Sequence, residues 1–203
     1  MTNRPVALVT GATRGIGRAI AVELSSTHRI LVGGRDAARA RELVAELDDA
    51  APFVCDLADE DAVAAACAGI GRLDVLVHSA GIGRSNDIGL ASRALWREVF
   101  ETNVFAVADL TRLLLPALEA ARGIVVAINS GAGFFSSPGG GVYAGSKFAL
   151  RALTDALREE MRGKVRVCSI HPGRTDTDMQ RELQAAMGNE HYNGSCYVST
   201  GSG

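Results

Sequence analysis

A tyrosine and a lysine spaced one helical turn apart are the residues that point most directly to chemistry. Tyr143 and Lys147 stand at positions i and i+4 of a strongly helical segment, so their side chains project from one face of the predicted helix. A phenol titrates near pH ~10, and a fixed ammonium beside it favours the phenolate. Tyr143 is therefore a candidate to donate a proton to a carbonyl oxygen, or to remove one from an alcohol, near neutral pH. The plainer alternative is an exposed tyrosine and a solvated lysine at the start of a helix.

A second candidate site is the glycine-rich segment 10–17, which lies between an apolar run and a helical pattern. Its glycines, Gly11, Gly15 and Gly17, allow a tight turn, let a phosphate approach the backbone and let the next helix pack closely. The exposed N–H groups at the start of that helix form an anion site. The segment predicts binding of a dinucleotide pyrophosphate, and a tight turn without a ligand is the alternative. Its Gly-x3-Gly-x-Gly spacing differs from the usual GxGxxG fingerprint.

The elements that must position these residues are short apolar runs alternating with helical patterns. The predicted strands are 6–9, 29–32, 52–55, 74–78, 124–128 and 165–170, and the predicted helices are 16–25, 37–47, 59–68, 92–120 and 142–161. The longest helix is predicted to break near Thr102 and Asn103. Because the runs are apolar without alternation and each connection can hold a crossover helix, the fold class is α/β, a doubly wound parallel sheet of Rossmann type. We expect about six to seven strands with helices on both faces, in one domain spanning 1–203.

Composition argues against several other classes of protein. The chain has 203 residues, 47% of them hydrophobic and 22% charged, as in ordinary globular domains. Its net charge of -2 gives no basic surface for nucleic acid, and we find neither a membrane-length apolar stretch nor a signal-peptide pattern. We therefore expect a cytoplasmic protein with no nucleic-acid or membrane partner. Cys55, Cys67 and Cys168 lie in apolar runs without ligand spacing, which predicts buried reduced thiols and no metal site.

The order of motifs resembles the short-chain dehydrogenase/reductase family, in its compact single-domain branch, from residue 6 to about residue 177. YxxxK alone is a weak signal, but the motifs follow one another in the family's order, each at a predicted strand end or helix. The matching residues are segment 10–17, Asp56 and Leu57, Ser79, Ala80 and Gly81, Asn103, Ser130, Tyr143 and Lys147, Pro172 and Gly173, and Thr177.

The resemblance implies an oxidoreductase that transfers a hydride between NADP(H) and a carbonyl or secondary alcohol substrate. It implies Tyr143 as general acid/base and places the hydroxyl of Ser130 on the substrate oxygen. Lys147 would also bind the nicotinamide ribose, and Asn103 would hold a water in the proton relay. A non-catalytic NADP(H)-sensing regulatory protein on the same fold, and an epimerase of the sugar-nucleotide branch, are the alternatives.

The resemblance also implies a set of cofactor-binding residues. An enzyme for the unphosphorylated dinucleotide usually ends its second strand with a carboxylate, but here Arg35 follows the strand and could clamp a 2′-phosphate, with Arg14 beside it. Asp36 competes as a ribose contact, although its position favours capping of the next helix. NADPH is therefore expected over NADH. The residues implied are Gly11, Thr13, Arg14, Gly15, Ile16, Gly17, Arg35, Asp56, Leu57, Ser79, Ala80, Gly81, Tyr143, Lys147, Pro172, Gly173 and Thr177.

Two parts of the chain depart from the family pattern. His78 stands where the family usually has asparagine, and we expect it to support the strand and not to act in catalysis. Segment 174–203 is shortened or atypical, with room for one helix at 178–187 and a final strand near 195–199. We expect segment 174–193 to be the most mobile part of the protein and the substrate side to be unusually open.

Two leucine-rich stripes suggest an assembly. They exceed what a monomer needs to cover one sheet face, although part of both stripes must pack inward. The family pairs these two helices across a dimer axis, so a homodimer or homotetramer is expected. The stripes comprise Leu110, Leu113, Leu114 and Leu118 on one helix, and Leu150, Leu153 and Leu157 on the other.

Overall fold

In the part of the chain that the structure describes, six parallel strands form one sheet in the order β3-β2-β1-β4-β5-β6. The computed structural model describes residues 4–173 together with Thr175, Thr177 and Arg181. The strands are β1 (Val6–Val9), β2 (Arg29–Gly34), β3 (Ala50–Val54), β4 (Val75–His78), β5 (Ile124–Ile128) and β6 (Arg166–Ile170). The helices are α1 (Gly15–Ser25), α2 (Ala37–Glu46), α3 (Glu60–Cys67), α4 (Arg93–Phe100), α5 (Ala106–Ala121) and α6 (Gly141–Glu160). The predicted fold class is confirmed.

The apolar strands are buried by helices on both faces. Successive side chains of a strand point to opposite sides of the sheet. Leu8 of β1 belongs to a core formed with α3, α5 and α6, and its neighbours Ala7 and Val9 belong to a second core formed with α1 and α2. All three side chains are fully buried. This two-sided burial explains why the strands read as continuous apolar runs.

Side chains at the helix starts fix several of these boundaries. The carboxylate of Asp36 accepts hydrogen bonds from the backbone N–H groups of Ala38 and Arg39, at 2.9 and 3.2 Å. Asp59 and Ser92 cap α3 and α4 in the same way. Asp36 therefore has the capping role expected of it, because a short polar side chain satisfies N–H groups that the first helical turn leaves unpaired.

One strand boundary differs from the expectation, and one helix interruption agrees with it. Strand β3 begins at Ala50, two residues before the predicted start, and Pro52 is accommodated within it because β3 lies at the edge of the sheet. The long helix is interrupted near Thr102 and Asn103, as expected. The interruption is a π-helical turn, Glu101–Phe105, between α4 and α5.

The predictions for segment 174–203 concern residues outside the described part of the chain, apart from three positions. They are the predictions that this segment is shortened or atypical, that it is the most mobile part of the protein and that it contains a final strand. Within the described residues, no helix combines the length and apolar character needed to cross a membrane.

Candidate active site

A cavity of about 670 Å³ opens at the carboxyl ends of the strands, where ligands bind in doubly wound sheets. Every residue expected to bind the cofactor lines it, and so does Ser130. The lining includes Gly11, Thr13, Arg14, Gly15, Ile16, Gly17, Arg35, Asp56, Leu57, Ser79, Ala80, Gly81, Ser130, Tyr143, Lys147, Pro172, Gly173 and Thr177. The topology thus brings residues that follow each of the strands β1 to β6 to one cavity.

The glycine-rich turn after β1 forms a backbone wall of this cavity. Gly11 has a φ of +62°, and a methyl group on it would lie 2.8 Å from the Cα atom of Ala80. A methyl group on Gly17 would overlap the carbonyl oxygen of Gly11. Helix α1 then begins at Gly15, and its N-cap residue Arg14 makes no side-chain capping bond. The turn fits a pyrophosphate, since backbone N–H groups can meet an anion there without obstruction by side chains.

Arginines surround the end of the cavity beside β2 and α2. Arg14, Arg35 and Arg39 all line it, and all three are exposed. The carboxylate of Asp36 is occupied by the α2 cap and lies 3.6 Å from the Nε atom of Arg39. This end of the cavity is therefore suited to an anionic group.

Ser130, Tyr143 and Lys147 converge at the other end. Ser130 follows β5, and its hydroxyl lies near enough to the Tyr143 phenol to lower the pKa of that phenol. The Ser130 Oγ atom also accepts a bond from the Ala132 N–H at 3.1 Å, which leaves its hydroxyl proton for donation. The Lys147 Nζ atom lies 5.7 Å from the centroid of the Tyr143 ring and donates to the Ile128 carbonyl at 3.1 Å. Spacing on α6 and the end of β5 together produce this cluster.

Burial shifts the pKa values of Tyr143 and Lys147 in opposite directions. Burial raises the pKa of Tyr143 above its ordinary value, and the hydrogen bond from Ser130 offsets this only in part. Burial also lowers the pKa of Lys147 to about 8. Both groups lose hydration, so burial pushes each toward its neutral form, and the stabilisation of the phenolate by Lys147 stays a prediction.

Asn103 lies in the π-helical turn and is 1% exposed. Its Oδ1 atom accepts from the Ile82 N–H at 2.9 Å, and its Nδ2 atom donates to the Ile82 carbonyl and to the Ser146 Oγ atom, both at 3.0 Å. Both amide protons are thus engaged in holding the loop after β4 against α6. The water-holding role of Asn103 stays a prediction.

His78 supports the sheet, as expected, and is 3% exposed. Its Nε2 atom lies 2.9 Å from the Thr111 Oγ1 atom, and the Thr111 hydroxyl donates to the Val107 carbonyl at 2.7 Å. The histidine must therefore carry its proton on Nε2. Burial lowers the pKa of His78 to about 4, which keeps the ring neutral at physiological pH.

Several polar residues of the site were missed in the sequence. Arg39 and Arg84 line the cavity, while Asn129 and Ser146 are buried next to the catalytic candidates. The available signal was a polar residue inside an otherwise apolar element, as at Asn129 immediately before Ser130. Burial of such a side chain requires hydrogen-bond partners, and these are visible only in the fold.

Two expectations about buried side chains need correction. Cys55 and Cys67 are buried free thiols, as expected, but Cys168 is exposed. It lies on β6, which ends the sheet in the described part of the chain. Most leucines of the two stripes are buried inside the chain's own core, so they provide no surface for assembly; Leu113 and Leu153 are half-buried.

The strand order, the glycine-lined cavity and the polar cluster define a Rossmann-type α/β domain. The family model described as short chain dehydrogenase matches residues 5–188, and the chain belongs to the short-chain dehydrogenase/reductase family of oxidoreductases.

Named relatives agree with this assignment. The chain is 38% identical over 180 residues to a serine 3-dehydrogenase of Agrobacterium fabrum, covering 84% of this chain and 72% of that protein. It is 35% identical over 193 residues to the 3-oxoacyl-[acyl-carrier-protein] reductase FabG of Pseudomonas aeruginosa, covering 90% and 78%. A metagenomic short-chain oxidoreductase crystallised with NADP superposes with a TM-score of 0.78 at 36% identity, covering 92% of this chain and 90% of that one.

Proposed function

We propose that this protein is an NADP-dependent dehydrogenase/reductase that interconverts a carbonyl compound and a secondary alcohol, with Tyr143 as the general acid/base. The observation that carries the proposal is the meeting of Ser130, Tyr143 and Lys147 in the glycine-lined cavity. A pure nucleotide-binding role would not require a half-buried phenol beside a serine hydroxyl and a buried lysine. The non-catalytic NADP(H) sensor remains as an outcome of the test below.

The chain's residues supply the proton and hold the oxygen that receives it. When bound, a reduced nicotinamide dinucleotide supplies the hydride that adds to the carbonyl carbon. Tyr143 gives its phenolic proton to the carbonyl oxygen as the carbon–oxygen π bond opens, so the product is a neutral alcohol. Ser130 donates a hydrogen bond to the same oxygen while negative charge develops on it. In the alcohol-oxidising direction each transfer is reversed.

Lys147 governs how readily the phenol releases its proton. With a pKa of about 8 it is charged near neutral pH, and its ammonium favours the phenolate that forms at Tyr143. Its hydrogen bond to the Ile128 carbonyl fixes Nζ at this end of the cavity. We also propose that Lys147 binds the nicotinamide ribose, and that Asn103 belongs to the proton relay.

The preference for NADPH over NADH is supported by the arginines beside β2. Arg35 replaces the carboxylate that would accept a bond from a ribose 2′-hydroxyl, and Arg14 adds a second positive charge. A guanidinium pairs strongly with a phosphate, whereas a free 2′-hydroxyl gains much less from it. The bound NADP of the metagenomic relative is consistent with this preference.

Tyr143→Phe tests the catalytic proposal. Turnover against a panel of carbonyl compounds should fall about 10²–10⁴-fold, the usual range for a positioned general acid, while NADPH affinity measured by fluorescence titration stays nearly unchanged. Thr154→Val is the matched control, since it removes one buried hydroxyl from the same helix, and it should keep turnover. Undiminished turnover by Tyr143→Phe would show that another group is the acid. NADPH binding by the wild type without turnover of any carbonyl compound would favour the sensor.

We further propose a homodimer or a tetramer built from it. Although most of the leucine stripes are internal, Phe105 and Phe148 remain 52% and 44% exposed beside α5 and on α6. Large exposed aromatic side chains on neighbouring elements favour burial against a second copy of the chain. The cytoplasmic location expected from the sequence stays a prediction.

A further inference from the structure

We propose that Asn129 is a positioning residue, which sets the place of Ser130 relative to Tyr143 and thereby controls proton transfer in the proposed reaction. This inference rests on the proposed function. It assigns no chemical step to Asn129 itself.

Asn129 connects three elements at the catalytic end of the cavity. It directly follows β5 and is 4% exposed. Its backbone N–H donates to the Ile170 carbonyl of β6 at 2.7 Å, and its side-chain Nδ2 atom donates to the Lys147 carbonyl of α6 at 3.2 Å. The residue before Ser130 is therefore tied to β6 through its backbone and to α6 through its side chain.

The bond to α6 joins the two parts of the catalytic cluster. The end of β5 carries Ser130, and α6 carries Tyr143 and Lys147. Lys147 makes a second link through its own ammonium, which donates to the Ile128 carbonyl. That second link is lost when the ammonium moves or changes its hydrogen bonds. The Asn129 bond depends on no titratable group, so it can hold the spacing while the reaction proceeds.

Stability alone does not explain an amide at this position. The Oδ1 atom of Asn129 is buried and has no hydrogen-bond partner among the described residues, which makes the folded state less favourable. A leucine of similar size would avoid that cost. The amide is also closely confined, because a methyl group on Gly133 would lie 3.1 Å from Oδ1 and 3.2 Å from the Lys147 carbonyl. An amide that lowers stability, has little room to move and makes one specific hydrogen bond, here to the Lys147 carbonyl, is typical of a positioning role.

Asn129→Leu removes that bond while keeping the approximate shape of the side chain. We expect kcat to fall about 10–100-fold, the effect of a misplacement near 1 Å, while KM and the Kd for NADPH change less than about twofold. The melting temperature should stay the same or rise, since the unpaired oxygen is gone. Thr154→Val serves as the control for a lost buried hydrogen bond on α6, and should change the melting temperature without changing kcat.

Gly133→Ala displaces the same amide from the opposite side. Its added methyl group should push the carboxamide off the Lys147 carbonyl and reproduce the selective fall in kcat. Both changes act on one contact. The kcat of the double variant Asn129→Leu with Gly133→Ala should therefore fall by much less than the product of the two single-variant fold-changes in kcat. Full multiplication of the two effects would count against the proposal.

A measurement without turnover separates this inference from the proposed function. Ionisation of Tyr143 can be followed by ultraviolet difference absorption, with the Tyr143→Phe spectrum subtracted. Loosening the Ser130–Tyr143 bond should move this ionisation to higher pH in Asn129→Leu, because that bond stabilises the phenolate. If the wild type reduces no carbonyl compound, the proposed function fails while this shift still tests Asn129. An unshifted titration with kcat within twofold of the wild type, in both single variants, would overturn the proposal.

Discussion

Acidification should destabilise this protein through His78, in a pH range that the structure defines. The buried ring has a folded-state pKa of about 4, against 6.5 for an ordinary histidine. Between these values the unfolded chain holds a proton at this histidine and the folded chain does not. The free energy of unfolding therefore falls as the pH drops from about 6.5 to about 4, and is unaffected by His78 above that range.

The expected size of this effect is large compared with ordinary stability. One unit of pKa difference is worth about 1.4 kcal/mol, so the full shift amounts to about 3 kcal/mol. Near pH 5 about 2 kcal/mol should already be lost, against a total of about 5–15 kcal/mol for a typical domain. Lys147 does not contribute in this range, because its pKa of about 8 leaves it charged in both states.

Urea unfolding of the wild type and His78→Asn, near pH 7 and near pH 5, measures the effect. The asparagine variant cannot titrate, so it should lose about 2 kcal/mol less than the wild type between the two pH values. Asp74 affects the stability of the protein in a separate pH range. Burial would raise its pKa, but the hydrogen bond from Arg72 and the Val6 N–H lower it overall, so its contribution is lost only in more acidic solution. An equal loss of unfolding free energy from pH 7 to pH 5 in the wild type and in His78→Asn would refute the assignment of this loss to His78.

Three further predictions concern the cofactor, the glycine turn and assembly. Arg35→Asp should weaken NADPH binding about tenfold or more and improve NADH binding, by fluorescence titration of both, because a carboxylate repels the 2′-phosphate and accepts a ribose hydroxyl; equal affinities in the wild type would contradict the arginine argument. Gly11→Ala should unfold at a much lower urea concentration than Gly163→Ala. Both glycines have a positive φ, but only at Gly11 would the added methyl group meet another backbone segment. Gly163→Ala should therefore lower the free energy of unfolding by only about 1 kcal/mol, through backbone strain. Phe148→Ser should weaken association of subunits in light scattering without loss of folding; a monomeric wild type at micromolar concentration would exclude the assembly.

Much of the fold could be predicted because it depends on local patterns. Continuous apolar runs with long connections allow little besides a doubly wound parallel sheet, and Asp36 has the capping chemistry that its position suggested. The turn at segment 10–17 was also readable, since positive φ and close backbone approach require glycine.

Surface exposure could not be read in the same way. Cys168 lies in an apolar run as Cys55 does, yet the first is exposed and the second buried. Leu110 and Leu118 looked like an excess for one sheet face and are fully covered by it. Exposure depends on which neighbours the sheet order supplies, and sequence separation does not reveal them.

The sequence alone determined which residues could do chemistry: a tyrosine and a lysine one turn apart on a helix, a serine after a strand, and glycines at a strand-to-helix turn. Only the tertiary structure decided how their charges are tuned and what holds them. Burial moves the pKa of Tyr143 up and that of Lys147 down, opposite to what two solvated neighbours would do to each other. Asn129 became visible as a link only when β5 and α6 were brought together. Both results arise because hydration and hydrogen-bond partners are properties of packed surroundings, which residues distant in the chain create.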